Sequence, residues 1–389
     1  MTDNYFTEEL LNTEIKHNIL KSVLLKSISV ASVSKYRDYE DMYAYVDLYA
    51  GVGIHEDGKL GSPLIALKII DSFSSVNDFK NYKCIFAEMD NKRCAILEDN
   101  LNKFHEKMEK KSKTEISCNH GDWCDFAESI KKILASTKWG FIFADPFANQ
   151  INMDLFIQIL NTEYIYSLKD IMIFVNYNAF KRLIGTGNVD LFEKVANFFG
   201  ITVENLKIYL EKEPSGNINF NLFNKLLIQR LESTNKDLIC GTSIPNTKNG
   251  KLTKSDYFFM IFCTTDVNMA DEFYNCYKKQ MEGIKYDTTF FCSLHDRIDS
   301  LIFENEVTFL DLFRTLTSTF ISWKSNLPED VPTIKQIIDY LNELIKRGSI
   351  EIKVENNDVL NKRSKSFQKL KKSLKRRDME GIEIIGKRE

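Results

Sequence analysis

The sequence predicts an α/β fold: a mainly parallel sheet with helices on both faces, followed by a small winged-helix-like domain. Short apolar, strand-like runs alternate with helical patterns from residue 43 to about residue 185, as in successive βαβ units. A strong strand pattern at 255–265 follows a mostly helical stretch, so the sheet is expected to close there. Near the C-terminus, two helical patterns precede Gly348 and an alternating strand.

The composition is that of an ordinary globular protein. Of the 389 residues, 43% are hydrophobic and 28% are charged, with a formal net charge of −3. This excludes a wholly disordered, collagen-like or disulfide-scaffold protein. No uninterrupted apolar run reaches the roughly 18 residues of a membrane span, and the acidic, polar start is not typical of a signal peptide.

The eight cysteines include no CxxC pair, which favours reduced thiols in a cytoplasmic location. Cys118, His120 and Cys124 lack the fourth ligand that a structural zinc site requires. We therefore predict no metal site and no membrane association.

Residues 1–42 are predicted to form an N-terminal helical segment. Thr7 offers an N-cap, and the apolar side chains that follow recur at helical spacing through residue 23. The α/β domain then spans 43–284, with strands predicted at 43–50, 82–88, 139–145 and 171–177 because β-branched and aromatic residues dominate there. A helical insertion is predicted at about 186–250.

Residues 285–355 form the winged-helix-like domain in this prediction, with helices at 307–320 and 333–347 and a strand at 349–354. A basic tail at 356–389 follows. Its segment 362–377 holds nine Lys or Arg residues and no acidic residue. The small net charge is therefore the sum of an acidic body and a basic segment. For this reason it does not exclude binding of nucleic acid by the basic segment. The alternatives for this segment are an anionic surface, an acidic partner or a solvated tail.

A glycine-rich turn follows the first predicted strand. Asp47 ends the apolar run, and Gly51 and Gly53 allow the backbone to turn tightly and approach a ligand. Neither standard phosphate motif is complete. Glu56 replaces the third glycine of GxGxxG, and Leu60 replaces the Ser or Thr that should follow GxxxxGK.

Further polar residues lie at or near the carboxyl ends of the later strands, the edge at which open α/β sheets bind ligands. Glu88 ends one strand and suits two ribose hydroxyls, because a carboxylate accepts two hydrogen bonds. Asp122 can accept from an adenine amino group while Trp123 packs on the ring. Asp145, followed by Pro146, ends the next strand.

In their order, these pieces resemble class I S-adenosylmethionine-dependent methyltransferases. More closely, the chain resembles the three-Cys-motif partner proteins, a bacterial family with a methyltransferase-like domain and a C-terminal winged-helix-like domain. The stretches that carry the resemblance are KHNIL (16–20), YVDLYAGVG (45–53), EDGKLGSPLIAL (56–67), FAEMDNKRCAIL (86–97), FADPF (143–147) and YFFMIFCTTDVNMADEFY (257–274).

The resemblance implies a Rossmann-like class I methyltransferase sheet and S-adenosylmethionine as the cofactor. The cofactor-binding residues that it assigns are Asp47, Gly51, Gly53, Glu88, Asp122 and Trp123. It also places Asp145, Pro146 and Phe147 at the (D/N)PP(Y/F) motif of amino-methyltransferases. In that motif a side-chain oxygen and a proline carbonyl hold the target amine, and an aromatic ring stacks on its base. This chain has one proline where the motif has two.

On the substrate side, Asn176, Lys181 and Arg182 follow a predicted strand and are candidates for contact with a substrate phosphate. The function that we predict is methylation of an amino group in nucleic acid. Nucleic acid would bind through the basic tail and winged helix, and a three-Cys-motif protein is the expected partner. The alternative is a non-catalytic, methyltransferase-like scaffold that binds nucleic acid or a partner in a bacterial defence or mobile-element system.

Overall fold

The computed structural model describes residues 11–34, 38, 41–73, 78–146, 151–161, 168–234, 236–248, 251–282, 293–304, 307–318, 332–354, 358–360 and 382–386. The chain folds into two compact units. The first is Met1–Ile239 with Ser243–Thr265, and the second is Cys240–Thr242 with Asp266–Glu389. No helix in the described part of the chain is long and apolar enough to cross a membrane.

The first unit is built on a seven-stranded sheet. Its strands are β1 (Tyr43–Asp47), β2 (Tyr82–Glu88), β3 (Thr114–His120), β4 (Trp139–Ala144), β5 (Leu168–Asn176), β6 (Leu238–Lys248) and β7 (Lys251–Thr264). Their order across the sheet is β3-β2-β1-β4-β5-β7-β6. The strands from β3 to β5 are parallel, and β7 runs antiparallel to β5. This confirms the Rossmann-like, mainly parallel sheet predicted from the sequence.

Helices connect the strands and cover the sheet. They are α1 (Leu11–Ser32), α2 (Ser62–Ser72), α3 (Asn91–His105), α4 (Ala127–Ser136), α5 (Met153–Leu160), α6 (Tyr177–Gly185), α7 (Val189–Phe199), α8 (Val203–Glu211) and α9 (Phe220–Leu231). Every residue of β1 is buried, as expected for a central parallel strand covered on both faces. In contrast, the edge strand β3 has exposed side chains at Glu115, Ser117 and His120, and its other positions are buried or half-buried.

The predicted helical insertion differs from the structure at its C-terminal end. Helices α7, α8 and α9 occupy it up to Leu231, but β6 at Leu238–Lys248 is a strand of the sheet. The sequence of β6 contains Gly241 and Pro245, residues that disfavour a strand and conceal it from pattern analysis. Because β6 lies at the sheet edge, a proline that donates no hydrogen bond is tolerated there.

The second unit contains helices and a four-stranded sheet. Its elements are α10 (Val267–Met281), α11 (Leu294–Glu304), β8 (Val307–Thr308), α12 (Phe309–Ser318), α13 (Ile334–Arg347), β9 (Ile350–Val354), β10 (Asp358–Leu360) and β11 (Ile382–Gly386). The strand order is β10-β9-β11-β8, and β11 runs antiparallel to both of its neighbours. Gly348 ends α13 in the left-handed conformation with φ of 84°, as the sequence predicts.

Two boundaries differ from the sequence-based division. Helix α10 groups with the second unit, although the α/β domain was predicted to extend to residue 284. Strand β11 lies within the predicted tail, so the chain returns to the sheet after the basic segment. The basic segment 362–377 itself lies outside the described residues.

Candidate cofactor and acceptor site

The glycine-rich turn after β1 is fixed to the strands on either side. The backbone N–H of Leu48 donates to the carbonyl of Phe143 (3.0 Å), and that of Ala50 donates to Ala87 (2.9 Å). Gly51 has φ of 65°, a region that residues with a Cβ rarely adopt. A Cβ at Gly51 would meet no described atom within 4 Å, so the space above the turn is open.

The start of α2 packs against the same turn. The N–H of Gly61 donates to the carbonyl of Gly53 at 2.7 Å, and a Cβ on Gly61 would lie only 3.2 Å from that oxygen. The Asn100 amide donates to the carbonyl of Val52 (2.8 Å). Gly61 is the N-cap of α2, and Ser62 is the first helical residue.

Asp47 is fully buried beneath this turn. Its carboxylate accepts hydrogen bonds from the Ser62 hydroxyl and from the Tyr49 N–H (3.2 Å). Burial raises the pKa of Asp47 to about 7, in spite of these two hydrogen bonds, and the nearby charges of Asp145 and Glu88 raise it further. The side chain therefore titrates near neutral pH, at the centre of the candidate site.

Glu88 joins the end of β2 to the glycine turn. One carboxylate oxygen accepts from the N–H of Gly51 and the other from the N–H of Asp90, both at 2.9 Å. A carboxylate oxygen has two lone pairs, so both oxygens keep a position for a further donor. A pair of ribose hydroxyls fits this arrangement, and the role predicted for Glu88 is compatible with its geometry.

Asp122 and Trp123 lie beside Glu88, because the N–H of Gly121 donates to the Glu88 carbonyl (3.0 Å). The Asp122 carboxylate accepts from the Cys124 N–H (3.0 Å) and caps the short helix Trp123–Phe126. The Trp123 ring is buried, and its indole N–H donates to the Tyr49 hydroxyl (2.8 Å).

Asp145 follows β4 and forms an ion pair that the sequence did not indicate. The ammonium of Lys16, from α1, lies 2.5 Å from the Asp145 carboxylate. The same ammonium lies 4.9 Å from the ring centre of Phe174 and 5.6 Å from that of Phe258. The KHNIL stretch held the only sequence signal for Lys16, since it contributes to the family resemblance.

Two histidines lie close to this ion pair. The rings of His17 and His55 are 5.7 Å apart. Burial, followed by the positive charge of Lys16, lowers the pKa of His17 to about 3, so this imidazole is neutral at pH 7. The buried Nε2 atom of His55 has no hydrogen-bond partner among the described residues.

The remaining predicted residues have different surroundings. Asn176 caps α6 by accepting from the Ala179 N–H (3.1 Å), and Lys181 and Arg182 are exposed on that helix. Pro146 directly follows Asp145, whereas Phe147 lies outside the described residues. Within the described ranges, no group of three or more His, Cys, Asp or Glu side chains is placed to hold a metal ion.

The structure thus brings the predicted cofactor residues to one edge of the sheet. The glycine turn, Glu88 and Asp122 follow the adjacent strands β1, β2 and β3, and Asp145 follows β4 on the other side of β1. The arrangement offers open backbone at Gly51, free lone pairs on Glu88 and an acidic group beyond them. It suits a ligand with a polar sugar, and a second ligand that approaches Asp145.

No protein-family model matches the sequence, and no curated protein matches it. Among solved structures, the chain is similar to an O-methyltransferase from Bacillus cereus in complex with SAH: identity 11%, TM-score 0.31, covering 64% of this chain and 80% of that one. It is also similar to the plantazolicin methyltransferase in complex with a triazolic desmethylPZN analogue and SAH: identity 9%, TM-score 0.32, covering 65% of this chain and 87% of that one.

A third similar structure is the precorrin-6y C5,15-methyltransferase from Geobacter metallireducens, with 11% identity and a TM-score of 0.29 over 63% of this chain and 87% of that one. All three TM-scores lie below 0.5, so the fold assignment rests on the strand order and strand directions described above.

Proposed function

We propose that the protein is an S-adenosylmethionine-dependent methyltransferase. The observation that carries this proposal is the hydrogen bond from the Gly51 N–H to the Glu88 carboxylate. It joins the acidic end of β2 to the glycine turn after β1, at the carboxyl ends of these two strands. The order β3-β2-β1-β4-β5-β7-β6 with β7 antiparallel supports it, because class I methyltransferase sheets have this arrangement.

The residues present fit the cofactor. Open backbone at Gly51 would hold the methionyl part, with Gly53 packed beneath the turn against Leu97, and the carboxylate of Glu88 would accept from the two ribose hydroxyls. Asp122 would accept from the adenine amino group, with Trp123 supporting its position from the core. When bound, S-adenosylmethionine supplies a sulfonium-activated methyl group and leaves as S-adenosylhomocysteine.

Asp145 and Pro146 would hold the methyl acceptor. An amine acceptor needs its lone pair aimed at the methyl group and a partner for its N–H groups. The Asp145 side chain, 27% exposed, provides a carboxylate oxygen at the end of β4. This is the role that we propose for Asp145, and loss of its carboxylate should spare cofactor binding and remove methyl transfer.

Calorimetric titration with S-adenosylmethionine tests the cofactor assignment. Glu88→Ala removes two charge-assisted hydrogen bonds to the ribose, so the affinity should fall by at least about 30-fold, which corresponds to ~2 kcal/mol. Glu98→Ala is the matched control, since Glu98 is exposed on α3. Absence of binding heat in a folded wild-type protein would refute the proposal, and equal loss in both variants would remove Glu88 from the site.

For the acceptor we infer an amino group in nucleic acid. The second unit has three helices, α11, α12 and α13, that precede the strands β9, β10 and β11 in the chain. In its sheet, β11 lies between β9 and β8, and this combination favours a winged helix. The basic segment 362–377 lies in the chain between β10 and β11, where the wing of such a domain would be. The family resemblance adds a three-Cys-motif protein as the proposed partner.

The second candidate is a non-catalytic scaffold. Two observations favour it: Asp145 is already paired with Lys16, and one proline stands where amino-methyltransferases have two. A folded protein that binds S-adenosylmethionine but transfers no methyl group to DNA, RNA or protein pools would support the scaffold. Transfer that is lost in Asp145→Ala would exclude it.

A further inference from the structure

Asp145 has a cationic partner from the protein's own chain. Lys16 lies 129 residues earlier in the sequence, and its ammonium contacts the carboxylate that we propose for acceptor binding. The Lys16 side chain is 10% exposed, so the amine is enclosed at this position.

The surroundings of this ammonium are those of an amine-binding pocket. Phe174 and Phe258 lie on neighbouring antiparallel strands. They share one face of the sheet, because Phe258 pairs with Asn176, which lies two positions after Phe174 on β5. An ammonium within about 6 Å of an aromatic ring face is attracted by the ring quadrupole. A carboxylate and two aromatic rings therefore surround the Lys16 amine.

Helix α1 delivers Lys16 from a fixed scaffold. Its buried apolar side chains include Ile15, Ile19 and Leu20, which flank Lys16 on the same helix. Towards its C-terminal end, the Ser27 hydroxyl donates to Asp170 at 2.6 Å, at the start of β5. Both ends of α1 are therefore tied to the sheet, and the Lys16 ammonium is held in place without a ligand.

We propose that Lys16 is an internal competitor that occupies the position of the acceptor amine. The inference rests on the proposed function, because it takes Asp145 as the acceptor-binding group. An incoming amine would displace the Lys16 ammonium from Asp145 and from the two rings. While Lys16 is protonated and paired, it has no lone pair and is not itself a methyl acceptor.

The displacement makes Lys16 a specificity-determining residue. The Lys16 amine is covalently attached to the protein, so its effective concentration at Asp145 is high. To replace it, an acceptor must match both features of the pocket: an amine for the carboxylate, and a narrow apolar or aromatic group for the two rings. An acceptor that offers a hydroxyl alone has one hydrogen to donate to the Asp145 carboxylate, whereas an amino group has at least one more for a second partner.

Chemical rescue tests the inference without the cofactor. Lys16→Ala removes three carbons and the nitrogen, the atoms of n-propylammonium. This probe should raise the melting temperature of Lys16→Ala by about 3 °C at tenfold its dissociation constant. The isosteric neutral probe 1-propanol should have no saturable effect. Wild type and Lys21→Ala, which alters an exposed lysine of the same helix, should not respond to n-propylammonium.

The outcomes separate this inference from the proposed function. An equal response of wild type, Lys16→Ala and Lys21→Ala to n-propylammonium would overturn the pocket, even if S-adenosylmethionine binds. Selective rescue of Lys16→Ala that disappears in Lys16→Ala/Asp145→Asn supports the pocket, even if S-adenosylmethionine does not bind and the methyltransferase proposal fails.

A second measurement on the intact wild-type chain applies if Lys16→Ala does not fold. Acetic anhydride should label Lys16 at least tenfold more slowly than Lys21, measured by peptide mass spectrometry, because the ammonium is enclosed and paired. In Asp145→Asn the labelling of Lys16 should rise towards that of Lys21. Equal labelling of the two lysines in the wild-type protein would contradict the inference.

Discussion

At the residue scale, the buried carboxyl of Asp47 makes the free energy of unfolding depend on pH. Its pKa is about 7 in the folded protein and near 3.8 in the unfolded chain. The folded state therefore binds the proton more tightly, and the free energy of unfolding decreases as pH rises from about 4 to 7. A buried carboxylate beneath the glycine turn is tolerated because the Ser62 hydroxyl and the Tyr49 N–H partly compensate its desolvation.

We expect Asp47→Asn to remove this pH dependence. Between pH 5 and pH 8, the wild type should lose about 2–3 kcal/mol of unfolding free energy relative to the variant, a consequence of the raised pKa. Urea denaturation at the two pH values measures the difference. Asp57→Asn, at an exposed position of the same loop, is the control and should follow the wild type. Parallel pH profiles for wild type and Asp47→Asn would show that the carboxyl is not buried as described.

The strand-end residues could be predicted because parallel strands bring their carboxyl ends to one edge, so Asp47, Glu88 and Asp145 meet whatever their separation in sequence. The contact between Lys16 and Asp145 could not be predicted from the sequence. It depends on how α1 packs across the sheet, and nothing in the spacing of a helical apolar pattern shows which polar side chain points at which strand end.

At the element scale, α1 is a pH-sensitive part of the fold because it buries His17. The pKa of this imidazole falls from 6.5 to about 3 on folding, so the unfolded chain takes up the proton first as pH decreases. The free energy of unfolding therefore decreases below pH 6.5, in the direction opposite to the effect of Asp47.

His17→Gln should weaken this acid sensitivity. Between pH 7 and pH 5, the wild type should lose about 2 kcal/mol more unfolding free energy than the variant. Thermal or urea denaturation at both pH values provides the comparison, and His120→Gln, at an exposed position at the end of β3, serves as the control. An unchanged acid loss in His17→Gln would mean that α1 does not hold His17 in the core.

The opposite end of α1 is held by a buried hydrogen-bond network. Ser27 donates to Asp170 (2.6 Å), Thr264 donates to the other Asp170 oxygen (2.6 Å), and the Ser27 and Tyr43 hydroxyls lie 2.7 Å apart. Since Ser27 donates to Asp170, the Tyr43 hydroxyl donates to Ser27. The network links α1 to the starts of β1 and β5 and to the end of β7.

Ser27→Ala should destabilise the protein by about 2–3 kcal/mol, because it removes a hydrogen bond to the buried Asp170 carboxylate and the acceptor of the buried Tyr43 hydroxyl. Urea denaturation of Ser27→Ala, Tyr43→Phe and the double variant should show less than additive losses, as for residues in one network. Ser29→Ala, whose hydroxyl donates to a carbonyl of its own helix, should cost less than about 0.5 kcal/mol. Strictly additive losses would show that the two hydroxyls do not interact.

The elements themselves were predictable to different degrees. The strands β1, β2, β4 and β5 are apolar runs between helical patterns and follow from sequence periodicity alone. Strand β6 could not be predicted in this way. It is the edge strand of the sheet, where polar residues, glycine and proline are tolerated, so its sequence lacks a continuous apolar run. Strand β11 has a local signal in its β-branched residues Ile382, Ile384 and Ile385, but the sequence alone does not separate this short run from the basic tail that precedes it. Its pairing with β8 and β9 identifies it as part of the sheet.

At the scale of the whole molecule, the return of the chain at β11 changes how the basic segment must be regarded. It is not a terminal extension, because β9 and β10 precede it and β11, which lies between β9 and β8 in the sheet, follows it. The exposed face of α13 is a poor alternative for phosphate contact. Its Lys335, Lys346 and Arg347 are accompanied by Asp339 and Glu343, and Glu343 pairs with Arg347 (3.5 Å).

The segment should therefore be tested by neutralising its charge. Deleting everything after residue 360 would remove β11 and confuse unfolding with lost contact. Replacing the nine Lys and Arg residues of 362–377 with Gln leaves β11 in place. We expect binding to a 20-base-pair DNA duplex to weaken by at least tenfold at low salt. The slope of log K against log salt should become shallower by about 0.9 for each phosphate contact that is lost.

The control for this experiment is a variant in which positive charges are removed from lysines of the first unit. Lys131, Lys132 and Lys138 lie on or just after α4, and their replacement with Gln should leave the salt slope unchanged. If both variants bind DNA with the wild-type slope, the segment makes no phosphate contact and an acidic protein partner becomes the better assignment. If the two variants lose affinity in proportion to the charges removed, nine against three, binding depends on total charge, and the localisation of nucleic-acid binding to the second unit is wrong.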